Sequence, residues 1–319
     1  MSEINTELIN TLKKKTSEKE NTVDLLMDII PIGKEAAYRR LRGEIPFSLE
    51  EAIAICRKLN ISLDVMAGTK RDDIYAFHSN AVFSDRPIEE YSRMMSQIIR
   101  AVESIKDSPG SKSYRAQRTL PQEFLFRYES LAQIYIRILF YQLHLQLNPK
   151  SLLDIEIPHN IFVEQKKMSS VMQDINSVLI LDKGIFQDYI EIVKYFQGLG
   201  MVNDEDIAII KRDMSLLLDD MERCASSGMT LHKKKLDMYI SHISFDCTYT
   251  YIEGPEFQSC SVGGVYCIDH LSCDNDKICK KHKSWIKSLV RFSTLISVSG
   301  ELQRNEYFSQ QRDIVKSIL

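Results

Sequence analysis

Turn-forming residues divide the start of this chain into short segments, and no other feature of the sequence restricts the fold as strongly. Pro31 and Gly33 separate the apolar stretch TVDLLMDII from the basic stretch KEAAYRRLR, and Gly43 follows the second stretch. Proline does not continue a helix, and glycine readily adopts the left-handed backbone that ends one. Because short helices are stable mainly when they pack together, this pattern predicts a compact all-α unit.

Five short helices are predicted in the first 70 residues from the spacing of apolar residues and from capping signals. They span residues 6–15, 21–30, 32–44, 48–60 and 61–68. The fourth begins with Ser48 and Glu51, the residue types and spacing of a capping box. The fifth is the stretch ISLDVMAG, which ends at Gly68.

The third predicted helix is locally basic, although the whole chain has a formal net charge of −3. Four cations lie between Lys34 and Arg42, against the single acid Glu35. In a helix-turn-helix protein the first helix braces the DNA backbone, and the second lies in the major groove, which is about 12 Å wide. A solvated surface helix is the alternative, because residues 21–70 carry seven acidic and seven basic side chains in total.

Residues 22–68 resemble the DNA-binding domain of the lambda-repressor-like (XRE-type) helix-turn-helix regulators. The stretch SLEEAIAICRKLNISLDVM is similar to the fourth and fifth helices of that family nearly throughout. The resemblance implies a five-helix fold, operator binding through the third helix, and usually a dimer on a two-fold DNA site. By position, it implies that the recognition helix starts at Gly33, reads DNA through Lys34, Glu35, Tyr38 and Arg39, and ends at Gly43.

The chain departs from the family pattern at two positions. Pro31 stands where the family usually has glycine in the turn, and Arg40 stands where an apolar core residue is common. Either the helix rotates slightly, or Leu41 replaces the core contact while Arg40 turns outward to phosphate. The predicted DNA-binding residues are therefore Gly33, Lys34, Glu35, Tyr38, Arg39, Arg40 and Arg42.

The length of 319 residues allows two or three domains of roughly 100–150 residues each. We predict a mainly α protein with a helix-turn-helix domain, a helical middle region and a small C-terminal α+β unit. The predicted boundaries are 1–70 for the DNA-binding domain, 71–84 for a linker, 85–230 for a helical dimerisation and regulatory region, and 231–319 for an α+β sensor unit. The α+β unit is predicted from the partly alternating stretches DMYISHISFDCTYTYIEG and SVGGVYCIDHLS.

A heptad-like seam lies between residues 87 and 107, where apolar residues are spaced alternately by three and four positions. Its members are Ile88, Tyr91, Met95, Ile98, Val102 and Ile105. Such a seam is typical of a two-stranded dimer contact. It is equally typical of a helix that packs on its own chain, and the sequence leaves both interpretations open.

The stretch CIDHLSCDNDKICKKH groups side chains that can bind zinc. Its candidate ligands are Cys267, His270, Cys273, Cys279 and His282. A structural zinc ion needs four such groups, but the paired close spacing of a zinc ribbon is missing, and strand alternation would send Cys267 and His270 to opposite faces. Buried cysteines that act as small apolar residues are the alternative. No other cofactor is expected.

We predict a one-component transcriptional regulator, not an enzyme, that binds double-stranded DNA as a homodimer and takes a small-molecule effector. A DNA-tethered hydrolase or nuclease is one alternative, for which Asp269, His270, Ser272 and the segment SVSGE are the candidate groups. A protein-interaction platform is another. The polar start of the chain and the interrupted apolar stretch LAQIYIRILFYQLHLQL predict a cytoplasmic protein without a membrane span.

Overall fold

Two units, Met1–Ala76 and Phe77–Leu319, are distinguished by the packing of the backbone. The computed structural model of the chain describes residues 3–16, 21–59, 63, 77–79, 85–143, 149–265 and 269–317. Each unit has its own hydrophobic core. No helix among these residues is both long enough and apolar enough to cross a bilayer.

The first unit is helical, as predicted. Its helices are α1 (Glu3–Lys15), α2 (Thr22–Ile29), α3 (Lys34–Leu41) and α4 (Leu49–Leu59). Four of the five predicted helices are therefore confirmed. The fifth, predicted at 61–68, lies outside the described residues except for Leu63, which is helical and packs against the core.

Local capping explains where these short helices begin and end. The Asn21 side chain accepts a hydrogen bond from the Val23 backbone N–H at 3.0 Å and caps α2. Gly43 has a positive φ of 78° and ends the turn after α3. The predicted capping box is confirmed, because Ser48 N–H donates to Glu51 Oε2 at 2.9 Å and Glu51 N–H donates to Ser48 Oγ at 3.2 Å.

The described part of the second unit contains one mixed eight-stranded sheet. Its strands are β1 (His78–Ser79), β2 (Lys112–Gln117), β3 (Asn176–Leu181), β4 (Leu236–Ser241), β5 (Thr248–Gly254), β6 (Phe257–Val265), β7 (Asp269–Cys273) and β8 (Ser293–Leu295). Their order across the sheet is β1-β7-β6-β5-β2-β3-β4-β8. The central strands β2, β3 and β4 are parallel, and the other neighbours are antiparallel.

Helices cover both faces of this sheet, although unequally. They are α5 (Pro87–Ile105), α6 (Gln122–Leu125), α7 (Glu129–Gln142), α8 (His159–Met172), α9 (Ile185–Gly198), α10 (Asp204–Ser227), α11 (Asp276–Leu289) and α12 (Glu301–Lys316). One face packs in the large core with α5 to α10 and α12, whereas the other packs with α11 in a smaller core. Parallel neighbouring strands require crossover connections, and α6 to α8 and then α9 and α10 supply them.

The predicted boundary between a helical region at 85–230 and an α+β unit at 231–319 is wrong. Strands β2 and β3 lie inside the region predicted to be helical, yet they pair in one sheet with β4 and β5. The apolar run of β3 is buried on both faces, and periodicity alone does not distinguish such a strand from a buried helix.

The heptad-like seam of α5 packs inside its own chain. Tyr91, Met95, Val102 and Ile105 are at most 4% exposed and belong to the large core. Ile88 and Ile98 are partly buried against the same core. The interpretation as a two-stranded dimer contact is therefore wrong for this helix, and packing on the same chain is confirmed.

Candidate functional site

One face of α3 is open to solvent and carries most of the predicted DNA-binding residues. Gly33, Lys34, Glu35, Tyr38, Arg39 and Arg42 are all exposed. Ala37 lies on the opposite side of the helix and is fully buried in the same core as Leu26 of α2. The small Ala37 side chain lets α3 lie close to its neighbours, so the polar residues face outward.

Arg40 does not belong to this exposed face, so its predicted outward orientation is wrong. Its Nε donates to Glu51 Oε2 at 3.0 Å and its Nη2 donates to Glu51 Oε1 at 2.7 Å, with both side chains 16% exposed. Leu41 packs against the core, as one of the two expected arrangements required, but Arg40 pairs with Glu51 and does not turn outward. Burial raises the pKa of Glu51, but hydrogen bonds from Arg40 and Ser48 outweigh it and lower that pKa.

Glu44 interacts with two of the exposed cations. Its carboxylate lies 2.6 Å from Arg42 Nε and 3.4 Å from Arg39 Nε. The hydrogen bond from Arg42 is the main reason why the pKa of Glu44 is lowered. Lys34 has no ion-pair partner among the residues that the structure describes. Because exposed ion pairs contribute little free energy, another anion can replace Glu44 beside either arginine.

The turn before α3 leaves the first amides of this helix accessible. Ile32 N–H donates to the Ile30 carbonyl at 2.8 Å, and Gly33 caps α3 with an extended backbone. A Cβ atom added at Gly33 would meet no atom within 4 Å. Free amides at a helix start attract phosphate oxygens, so this end of α3 and the side chain of Lys34 are suited to the same anion.

A second candidate site is a cavity of about 860 Å³ in the second unit, which lies between the sheet and helices α5 to α9. Five residues of its floor form a single row across neighbouring strands. In order, the row is Arg115, Thr250, Ser261, Ser272 and His78, each paired in register with the next. All five line the cavity. The cavity thus has a polar floor that runs across five strands.

The opposite wall of the cavity is mostly apolar. Its side chains come from helices α5, α7, α8 and α9 and include Met94, Ile98, Ile138, Leu139, Met168 and Ile192. The wall and the floor together enclose a space in which one side offers hydrogen bonds and the other offers apolar contact.

Two arginines in the cavity each face a carboxylate. Arg115 Nη1 lies 2.6 Å from Glu123 Oε1, and both side chains are only 4% exposed. Arg118 forms a hydrogen-bonded ion pair with Asp188 nearer the surface. Burial without a partner would be very costly for these charges, so the two pairs neutralise the cavity.

The predicted zinc ligands are divided by the sheet. His270 lines the cavity, and a Cβ added at Gly263 would lie 2.7 Å from its Nε2. The Cys279 thiol lies in the core on the other face, where it donates to the Cys273 carbonyl at 3.4 Å. His282 is on that face too, with its ring centroid 5.8 Å from the ring centroid of Tyr249.

Cys267 lies outside the described residues. Among those described, no three His, Cys, Asp or Glu side chains are placed to hold a metal ion. The buried Cys260, Cys273 and Cys279 are free thiols, and burial raises the pKa of each. They therefore act as small apolar residues, which was the alternative interpretation.

The structure brings together only some of the candidate enzyme residues that it describes. His270 and Ser272 both line the cavity, two residues apart on β7, whose first residue is Asp269. Ser297 is buried, and its Oγ accepts the Met238 backbone N–H at 2.9 Å. Ser299 and Gly300 precede α12, with Gly300 as its N-cap.

The polar floor was missed by the sequence analysis, although a signal for it was present. In the stretches TYTYI and SCSVG, small polar residues or glycine alternate with larger side chains. Alternation of this kind places Thr250 and Ser261 on one face of the sheet, with Tyr251 and Cys260 on the other. The same pattern on paired strands predicts a hydroxyl-lined surface.

Comparisons with models of protein families, with curated proteins and with solved structures found no match to this chain. The functional assignment therefore depends on the residues of the chain itself.

Proposed function

We propose that this chain is a DNA-binding transcriptional regulator that places α3 in the major groove. The observation that carries the proposal is the exposed polar face of α3 opposite the buried Ala37. A helix held in this way is able to enter a groove without unfolding its own unit. The short turn between α2 and α3 is the arrangement that a helix-turn-helix requires.

Arg39 and Arg42 supply the strongest interactions with DNA in this proposal. A guanidinium binds guanine or phosphate through two hydrogen bonds, whereas Lys34 and Tyr38 are suited to phosphate. The proposal includes no enzymatic activity. It includes a homodimer on two half-sites about one helical turn apart, formed through a surface other than the buried seam of α5.

The proposal is tested with the full-length chain and a pool of random double-stranded DNA. Repeated selection should enrich a sequence motif, and binding to the enriched duplex should weaken as salt increases. Arg39→Ala should bind at least about fivefold more weakly, since a base-contacting arginine contributes about 1–3 kcal/mol. Arg57→Ala, which removes an exposed arginine from α4, is the matched control and should bind like the unaltered chain.

Two results would contradict the proposal. One is the failure of any duplex to be enriched at low salt. The other is equal affinity of Arg39→Ala and Arg57→Ala for an enriched duplex, which would exclude α3 as the recognition helix.

A further inference from the structure

We propose that the cavity of the second unit is a binding site for an uncharged, amphipathic small molecule. Its volume of about 860 Å³ falls within the range of about 300–1,000 Å³ that is usual for small-molecule sites. This inference goes beyond DNA binding and does not depend on it, because every residue involved belongs to the second unit.

The floor of the cavity carries polar groups that the protein itself does not satisfy. The side-chain hydroxyls of Thr250, Ser261 and Ser272 have no hydrogen-bond partner in the part of the chain that the structure describes. The same holds for the amide of Gln117, although this residue is only 6% exposed and lines the cavity. The three hydroxyls are half-buried and open into the cavity, so a ligand with donors and acceptors along one side can hydrogen-bond to them.

The charges around the cavity disfavour a strongly anionic ligand. Arg115 and Arg118 are already neutralised by Glu123 and Asp188. The remaining carboxylates of the lining, Asp246 and Asp274, are exposed and solvated at its edge. An anion would meet these carboxylates without gaining a free cation, whereas an uncharged molecule would meet no such penalty.

The apolar wall determines the chemistry of the side of the ligand that faces away from the floor. Met94, Ile98 and Leu139 offer no hydrogen bonds, so a molecule that is polar on all sides would lose its hydration there without compensation. The ligand class is therefore a molecule with one hydrogen-bonding edge and one hydrocarbon or aromatic face, and with no formal charge.

The test compares fluorescent probes that share one ring system and differ in charge. N-phenyl-1-naphthylamine is uncharged, and 8-anilinonaphthalene-1-sulfonate has the same rings and a sulfonate. We expect the full-length chain to bind the uncharged probe at least tenfold more tightly than the sulfonate. Equal or tighter binding of the sulfonate, or of the cationic dye quinaldine red, would overturn the proposal that the ligand is uncharged.

Two substitutions on α5 locate the probe. Ala101→Trp fills the cavity with an indole ring, whereas Ser104→Trp adds the same ring at an exposed position of the same helix. We expect Ala101→Trp to weaken binding of the uncharged probe at least tenfold and Ser104→Trp to leave it unchanged. Equal affinities of these two variants would overturn the assignment of the site.

A third variant covers the case in which Ala101→Trp does not fold. Thr250→Val keeps the volume of the side chain and removes one floor hydroxyl. It should weaken binding of the uncharged probe about fivefold, the effect of about 1 kcal/mol from one hydrogen bond. Unchanged binding in this variant would overturn the proposed role of the floor.

Discussion

Arg40 and Glu51 form a two-point contact that joins α3 to α4. The Arg40 guanidinium donates through Nε at 3.0 Å and through Nη2 at 2.7 Å to the two oxygens of Glu51. The same carboxylate accepts the Ser48 N–H at the start of α4. One side chain therefore caps one helix and fixes the orientation of the helix that carries the exposed polar face.

Glu51→Ala should loosen α3 and α4 together, because it removes one of the two hydrogen bonds of the capping box and leaves Arg40, which is only 16% exposed, without its partner. We expect a loss of about 2 kcal/mol in the free energy of local opening, the usual cost of losing hydrogen bonds to a charged group. Hydrogen exchange of the amides in residues 34–59 should accelerate about thirtyfold. Glu50→Ala, beside it in the same helical turn, should change the exchange rate little. Similar effects of the two substitutions would contradict the role assigned to Glu51.

Glu44→Gln should strengthen DNA binding. The substitution removes the carboxylate that lies beside Arg39 and Arg42 and repels phosphate, without altering a buried contact, since Glu44 is exposed. We expect affinity for a selected duplex to increase about two- to fivefold at low salt, in line with the small energies of exposed charges, and the gain to diminish at high salt. Weaker binding than that of a Glu50→Gln control would show that Glu44 orients the arginines rather than competing with DNA.

Glu123→Gln should destabilise the second unit by about 3 kcal/mol, because it leaves the Arg115 charge buried beside a neutral amide. The single tryptophan, Trp285, lies in this unit, so its fluorescence during urea unfolding reports the second unit selectively. The double substitution Arg115→Met with Glu123→Leu should recover most of the loss. Asp188→Asn, which alters the more exposed pair with Arg118, is the matched control and should cost less than about 1 kcal/mol. A loss no larger than that of the control would mean that Arg115 is neutralised by another group.

The second unit should become less stable on mild acidification because of His282. Burial lowers the pKa of this imidazole below its ordinary value of 6.5, so below that pH the unfolded chain takes up a proton more readily than the folded chain. The stabilisation is fully present above pH 6.5 and is lost as the pH falls towards the pKa of the folded state. The urea midpoint reported by Trp285 should therefore decrease between pH 7.5 and 5.5.

His282→Gln should reduce this pH dependence, whereas His159→Gln, which removes an exposed histidine of α8, should leave it unchanged. If His282→Gln and the unaltered chain lose stability to the same extent on acidification, His282 is not the responsible group.

The first unit was largely predictable from sequence because its helices are limited by neighbouring residues. Asn21, Gly33 and Gly43 bound α2 and α3, and the Ser48–Glu51 pair starts α4. These effects act within a few residues, so a linear sequence contains them. The orientation of Arg40 was not predictable in this way, because its partner Glu51 comes from another helix.

The sequence by itself determined the capped helices of the first unit, the amphipathic face of α5 and the alternation of the late strands. Tertiary structure alone decided that β2 and β3 join those strands in one sheet, that α5 packs on its own chain, and that the sheet separates His270 from Cys279. The physical reason is that helix caps and side-chain alternation arise from adjacent residues. Strand pairing instead depends on free energy gained between residues far apart in the chain, such as Arg115 and Thr250. No local sequence pattern specifies which strand a given strand will pair with.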